Sequence, residues 1–513
     1  MEQLLSTLKN KGLLAAEQAD LDRRKAGSST VIEGDGFRIY KRSLYRREGV
    51  LYFIAVVEGK KSLLLASESP FETEFHGSKG EENGVHFLVA SLSVENSLVL
   101  HSLFPFTSPI SLRDKRTTIG CGDRLGLATA GQLRAVARYD VYPVLAQQSI
   151  RELTLTKRDF PGVVADATFL VFQEGFERGY GADGDHLKTI ADIDKALAAG
   201  MPMTTLDLTE VMQPEPAQWS AERIETEFEK LDDSVTQHVL EKYGEKTFKL
   251  AGSTIVFETL EAKRCALMYW NAVEFTKQVN DHLKEHRGDE YDLEVSIDET
   301  TAPTLPSHHL FIASELQLRG VSVNSLAPRF IGEFQKGIDY IGKVEEFDRQ
   351  FKIHCDIARA YGNYKVSIHS GSDKFSVYPS IGKFTKQRLH LKTAGTSWLE
   401  SVRVIALTNP PLFRSMLAKA FEYFPEATKL YYVTTDLNAI KKPSEVGDAA
   451  LPEYLDEPNA RQLLHITYGG LLNDPEIRPE FFRTLNEHEA EHYAALERHI
   501  GRHIELLGAP AAS

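Results

Sequence analysis

From Thr117 onward the chain alternates eight times between a short apolar run and, in most cases, a segment of helical period. The runs are "TTIGCGD" (117–123), "YPVLAQQ" (142–148), "YGADGDH" (180–186), "MTTLDLT" (203–209), "DLEVSID" (292–298), "VSVNSLA" (321–327), "KVSIHS" (365–370) and "RLHLKT" (388–393). Stretches such as "AGQLRAVARYD" and "SHHLFIASELQLRG" lie between them. Strands that alternate with helices read as βα units, which build a parallel sheet. Eight such units fit a closed (β/α)8 barrel of the TIM type better than an open sheet.

The rest of the chain is arranged around that barrel. Residues 1–116 read as a mixed α+β domain rich in strands, from the alternating runs in "FRIYKRSLYRREGVLYFIAVVEGKKSLLLAS" and "GVHFLVASLS". The catalytic barrel is expected over 117–475, with a helical insertion at about 210–290 after strand four, where "AERIETEFEKLDDSVTQHVLEKYG" and "ETLEAKRCALMYWNAVEFTKQVNDHLKEH" carry the helical period. "ARQLLHITYGGLL" reads as a helix capped by Asp456 or Asn459. A helical extension closes the chain over 476–513. Its His488, His492, His499 and His503 read as a solvated helix face, with a metal site as the alternative.

Composition removes several function classes. The net charge is −14 over 513 residues, and no basic block interrupts it, so nucleic acid is not an expected partner. No apolar run approaches a membrane span, and "MEQLLSTLKNKGLLAAEQ" at the start reads as an amphipathic helix and not as a signal peptide. Cys121, Cys265 and Cys355 are far apart, which fits a reduced, cytoplasmic compartment. No P-loop and no G-x-S-x-G is present, and the isolated "GYGADG" is not read as a nucleotide fingerprint. The expected partner is a small molecule, and a homo-oligomer is left open.

Barrel enzymes carry their chemistry at the C-terminal ends of the strands. Side chains alternate along a strand, so in "YKVSIHSGSDK" Val366 and Ile368 suit the helix-covered side, and Lys365, Ser367 and His369 point inward. The same parity turns Ser296 and Asp298 inward in "YDLEVSIDETTAPT", and His390 and Lys392 inward in "LHLKTAGTS". Other strand ends bring Asp123 and Arg124, Gln147 and Gln148, Asp183, Asp185, His186 and Lys188, Asp207, and Arg329. His186, Asp298, Glu299, His369 and His308 or His309 together offer imidazole and carboxylate donors suited to Zn2+, Mn2+, Ni2+ or Co2+. In the loops after strands seven and eight, Ser370, Ser372, Lys374 and the "KTAGTS" turn offer hydroxyl and anion partners. Thr396 or Ser397 is the expected cap of the next helix.

Several of these motifs occur together in one known group. "GDRLGLAT", "PVLAQQSIREL", "GADGDHLKT", "SIDETTAPT", "APRFIGEFQKGIDYIG", "HSGSDKFSVYP" and "KTAGTSWLE" resemble the tagaturonate epimerase family. The resemblance implies a divalent-metal-dependent barrel enzyme that interconverts D-tagaturonate and D-fructuronate; some members also act on tagatose and fructose. Carried onto this sequence, it puts the metal at His186, Glu299, His309 and His369, and acid–base work at Asp123 and Asp298. Lys392 would polarise an oxygen or hold a carboxylate. Substrate contacts fall to Gln147, Lys188, Arg329, Ser372, Lys374 and Thr393. A metal-dependent sugar-acid aldolase or lyase would use the same donors, and a non-catalytic sugar-binding protein is the alternative from another class.

Overall fold

The computed structural model describes residues 1–25, 29–298, 300, 302–393 and 395–512. Eight parallel strands close into a barrel in chain order: Thr117–Gly120, Tyr142–Ser149, Gly181–Leu187, Met203–Asp207, Asp292–Ile297, Val323–Pro328, Lys365–Ile368 and Leu389–Lys392. The ring shuts where Leu389 to Lys392 pair in register with Thr117 to Gly120. Each strand coincides with one of the eight runs, because continuous apolar residues on the helix-covered side leave few other ways to bury them.

The barrel axis is lined with polar side chains in layers. At the bottom, Asp292 accepts from Ser111 Oγ and Leu112 N–H (2.7 Å each), and Lys365 Nζ donates to Leu112 O at 2.8 Å. A loop therefore plugs this end, and Lys365 is spent there, its pKa pushed down to about 8 by burial. Higher up, Thr118 Oγ1 meets His390 Nδ1 at 2.9 Å, and Gln147 donates to Asp183 at 3.1 Å. Burial pushes His390 down to about 3, so its ring is neutral.

The segment after the fourth strand is a mixed insertion. Helices Ala221–Phe228, Asp233–Tyr243 and Thr259–Arg287 accompany an antiparallel hairpin, Lys246–Lys249 with Thr254–Phe257. The hairpin was hidden in sequence by its charged ends. Ile255 and Phe257 are its buried face. The N-terminal sheet is antiparallel and covered on both sides. Leu4, Leu5 and Leu8 of the first helix, Glu2–Asn10, cover one face. The other face packs on Phe169 and Phe172 of the barrel helix Phe160–Glu174.

Three local expectations change. The helix Pro458–Ile466 is capped by Glu457, whose carboxylate accepts from Asn459 N–H and Ala460 N–H, not by Asp456 or Asn459. The helix Thr396–Thr408 begins after Gly395 with no side-chain cap, so Thr396 and Ser397 do not serve as one. The last helix, Glu489–Leu506, is not a solvated histidine face: His492 and His503 are buried, with His492 on Ser401 and His503 accepting from Asp373 N–H. That helix packs on the barrel, and its histidines fill the seam. No helix among the described residues is long and apolar enough to cross a membrane.

Glu489, at the start of that last helix, ties the N-terminal sheet down. Its carboxylate accepts from Tyr40 Oη at 2.5 Å, Tyr493 Oη at 2.8 Å, Arg38 Nη1 at 3.2 Å, and Lys61 Nζ. Burial would raise its pKa, but Lys61 and these hydrogen bonds outweigh it and hold the carboxyl at about 2. A depressed carboxyl stabilises the fold above its ordinary value of 4.5 and loses that contribution as the pH falls through about 2. Glu489→Gln should therefore cost about 1.5–3 kcal/mol at neutral pH. In thermal melts across the acid range, its deficit against the parent should shrink as the pH falls from 4.5 toward 2. A deficit that is constant with pH would contradict the clamp.

Candidate active site

At the C-terminal mouth of the barrel, strands three, five, seven and eight bring four carboxylates and one ammonium together. Lys392 Nζ lies 2.5 Å from Asp185 Oδ1, 2.9 Å from Glu294 Oε1, 3.3 Å from Asp183 Oδ2 and 2.6 Å from Thr205 Oγ1. His369 Nε2 is 2.7 Å from Glu294 Oε1, and its Nδ1 is 3.1 Å from Asp298 Oδ1. Asp298 also accepts from Ser296 Oγ at 2.6 Å. His186 Nδ1 is 2.9 Å from Asp185 Oδ1, and the two imidazole rings stand 5.0 Å apart.

Parity explains most of this placement. Glu294, Ser296 and Asp298 share one face of the fifth strand, and Asp183 and Asp185 share one face of the third. His186 breaks the alternation. Its φ is +55°, and the pairing of strands three and four slips between Gly184 and Leu187. The slip turns a residue that should point outward onto the rim. A histidine held in the left-handed region carries backbone strain, of the kind that gathers at functional sites.

Burial opposes every charge in this cluster, so the neighbours decide each state. Burial would lower the Lys392 pKa, but Asp185, Glu294 and Asp183 outweigh it and keep the ammonium protonated well above the usual range. Burial would raise Glu294 and Asp185, yet Lys392 holds both well below the ordinary carboxylate range. His369 likewise keeps Asp298 low against its burial. Asp183 goes the other way, raised by burial despite Lys392.

Above this floor opens a cavity of about 720 Å³, including its mouth. Arg124, Gln147, Asp185, His186, Asp298, His369, Ser370, Ser372 and Lys392 line it, so nine residues named from sequence or strand parity meet here. Others do not join them. His309 is buried between helices, with Nε2 2.7 Å from Tyr364 Oη and Nδ1 2.9 Å from His354 Nδ1. Its helix, Pro306–Leu318, turns it away from the mouth. Asp123 is taken by backbone: its carboxylate accepts from Leu125, Gly126 and Ala128 N–H at 3.0, 2.9 and 2.7 Å, which folds the loop after strand one. Lys374 donates to the carbonyls of Gln335, Ile338 and Ser372 at 2.8, 2.6 and 2.9 Å. Thr393 donates to Gly120 O at 2.7 Å and fastens the closing seam. Lys188 stands 3.7 Å from both Asp207 and Glu210, and Arg329 pairs with Thr304 through its backbone; neither lines the cavity. Glu299 lies outside the described residues.

Sequence reading passed over Glu294 and Thr205, although the parity that chose Asp298 also points Glu294 inward. It gave no role to Arg124 or His465, which line the cavity from a loop and from the helix Pro458–Ile466, 341 residues apart. No short motif could have joined them. The assignment of His309 to packing gives a contrast. His309→Ala should lower stability by about 1–3 kcal/mol, through the partners it strands, and leave kcat/KM within about twofold of the parent. A stable His309→Ala protein with little activity would return this residue to the chemistry.

Known proteins were compared with this chain. The sequence profile of UxaE, tagaturonate epimerase, matches residues 40–507. The tagaturonate/fructuronate epimerase of Thermotoga maritima is 38% identical over 475 residues, covering 92% of this chain and 98% of the relative. The native crystal structure of the fructuronate-tagaturonate epimerase UxaE from Cohnella laeviribosi is 45% identical, with a TM-score of 0.88 over 95% of this chain and 98% of that one. A glycerol complex of the same protein superposes equally well, covering 96% and 99%.

Proposed function

The chain belongs to the tagaturonate epimerase family, and from that premise we propose that it is a metal-dependent epimerase of D-tagaturonate and D-fructuronate. The observation that carries the metal is the donor set. His186, Asp298 and His369 each present a ligand atom, all within 4.8 Å of one another. His369 Nδ1 is buried and faces Asp298 Oδ1 at 3.1 Å, while its Nε2 is held by Glu294, the arrangement in which a carboxylate orients a metal-bound imidazole. Charge agrees: the four carboxyl groups of Asp183, Asp185, Glu294 and Asp298 face one ammonium, Lys392, and the imidazole of His369, whose pKa Asp298 raises against its burial, a deficit of positive charge. A divalent cation fits that deficit. Bound there, it would supply Lewis acidity to a ketone and its neighbouring hydroxyl.

The inverted carbon lies β to the ketone, so its C–H is not acidified. Epimerisation by retro-aldol cleavage avoids breaking that bond. A base takes the proton from the hydroxyl on the inverted carbon, and the electrons of the O–H bond form the aldehyde. The C–C bond toward the ketone breaks, leaving its electron pair on the three-carbon enediolate. The aldehyde turns its other face, the bond re-forms, and the proton returns. With Asp298 among the metal donors and Glu152 tied to Arg124, Asp185 is the carboxylate lining the cavity for this proton. Lys392, kept protonated, faces the developing oxyanion and is no amine nucleophile. An aldolase would share these steps but release its fragments, and a pure binder would not need so costly a set of buried charges.

Incubation with fructuronate, tagaturonate, fructose and tagatose, with and without EDTA, tests the reading. Uronate interconversion that EDTA abolishes and a divalent cation restores is expected. Free three-carbon products would instead favour the lyase. His369→Ala should lose metal and nearly all activity while keeping the parent's circular dichroism. In D2O the product should carry no deuterium at the inverted carbon, and deuterium there would refute retro-aldol chemistry.

A further inference from the structure

The cavity is lined by both signs of charge: Glu152, Asp185 and Asp298 beside Arg124, Arg151, Lys336 and Lys392. Arg124 lies in the loop after strand one and is only 5% exposed. Glu152 Oε1 accepts from its Nε at 3.0 Å and its Nη2 at 2.7 Å, and the guanidinium lies 3.7 Å from the Tyr468 ring centroid. These contacts fix the fork. They leave Nη1 buried with no hydrogen-bond partner among the described residues. An unmade hydrogen bond on a buried charged donor is costly, so a rigid orphan on a cavity wall calls for an acceptor from outside the chain.

The surroundings fit an anion. His465 stands beside Arg124, and its Nδ1 is also buried without a partner. Burial, then Arg124 and Lys336, push its pKa well below the usual value, so the ring is a neutral hydrogen-bonding group. Both side chains converge on Gly395: a Cβ there would lie 2.5 Å from His465 Nε2 and 3.3 Å from Arg124 Nη2. Only glycine keeps that space open. Gly395 also precedes the uncapped helix Thr396–Thr408, whose N-terminal end adds partial positive charge.

We propose that Arg124, with His465 and the Gly395 turn, forms the subsite that binds the carboxylate of the sugar acid, in the same cavity that Asp298 and His369 line. This rests on the epimerase reading and names the group by which the site would tell a uronate from a neutral ketose. It also replaces the three cations expected from sequence. Lys392 is enclosed by carboxylates, Lys374 is spent on carbonyls, and Arg329 does not line the cavity.

The test is calorimetric titration of the metal-replete protein with D-tagaturonate and with D-tagatose, which has a hydroxymethyl group in place of the carboxylate. The parent should bind the uronate more tightly. Arg124→Met should weaken the uronate about ten- to a hundredfold and tagatose by less than about twofold, closing the gap. Arg124→Lys keeps the charge and the packing, so it reads the same ratio if the Met variant does not fold. One ammonium cannot serve Glu152 and a carboxylate in the fork's geometry, and a uronate loss of about tenfold is expected. A uronate-to-tagatose ratio unchanged from the parent in the folded variants overturns the subsite alone. A parent that neither binds nor epimerises the uronate overturns the epimerase reading and this assignment with it.

Discussion

Lys392 reaches from the eighth strand across the barrel axis to Asp183 and Asp185 on the third strand and Glu294 on the fifth. These contacts tie three strands of the barrel together across its axis, and the remaining polar interior is arranged around them. Glu294, held by Lys392, is also the carboxylate that orients His369, while Asp185 does the same for His186. Thr205 donates to Asp183 Oδ2, the oxygen that Lys392 also meets, and Ser325 donates to the other oxygen of Glu294. Such a core is expensive to desolvate and weak as a source of stability. The fold carries it because strands bring carboxylates from several directions to one point, and because the apolar staves between barrel and helices supply the stability that the axis does not.

The surplus of negative charge at the mouth follows from that arrangement. One ammonium cannot neutralise four carboxylates, and His369 is the group that faces the fourth, Asp298. The same cavity is lined by Arg124, braced by Glu152 and Tyr468. A substrate with oxygens for a metal and an anionic group would find partners for both in it. The N-terminal sheet and the last helix stand behind it. Glu489 fastens one to the other, and His503 on that helix accepts from the backbone of Asp373 in the loop after strand seven.

Much of this could be read from the chain alone, for a definite reason. A period of two along a buried strand fixes which residues face the axis, and so Asp298, His369 and Lys392 were placed correctly without any contact being known. The rule failed where something else takes the side chain. Asp123 and Lys374 have the right chemistry at the right strand ends, but nearby backbone donors and acceptors consume them. His309 belongs to a helix whose buried face is set by packing on Tyr364 and His354, which strand parity says nothing about. His186 was named for its type, and only the slip after Gly184 turns it inward. Arg124 and His465 meet because the helices after strand eight fold back over the barrel, a long-range event that leaves no local signal.

The claim on which the rest depends is that the mouth of the barrel holds a divalent cation between His186, Asp298 and His369. Anomalous diffraction from crystals grown with Mn2+ reads this directly. The account predicts one strong peak within coordination distance of all three residues. No peak there, or a peak only at the second group of buried donors, Asp373, His499 and His503, would contradict it.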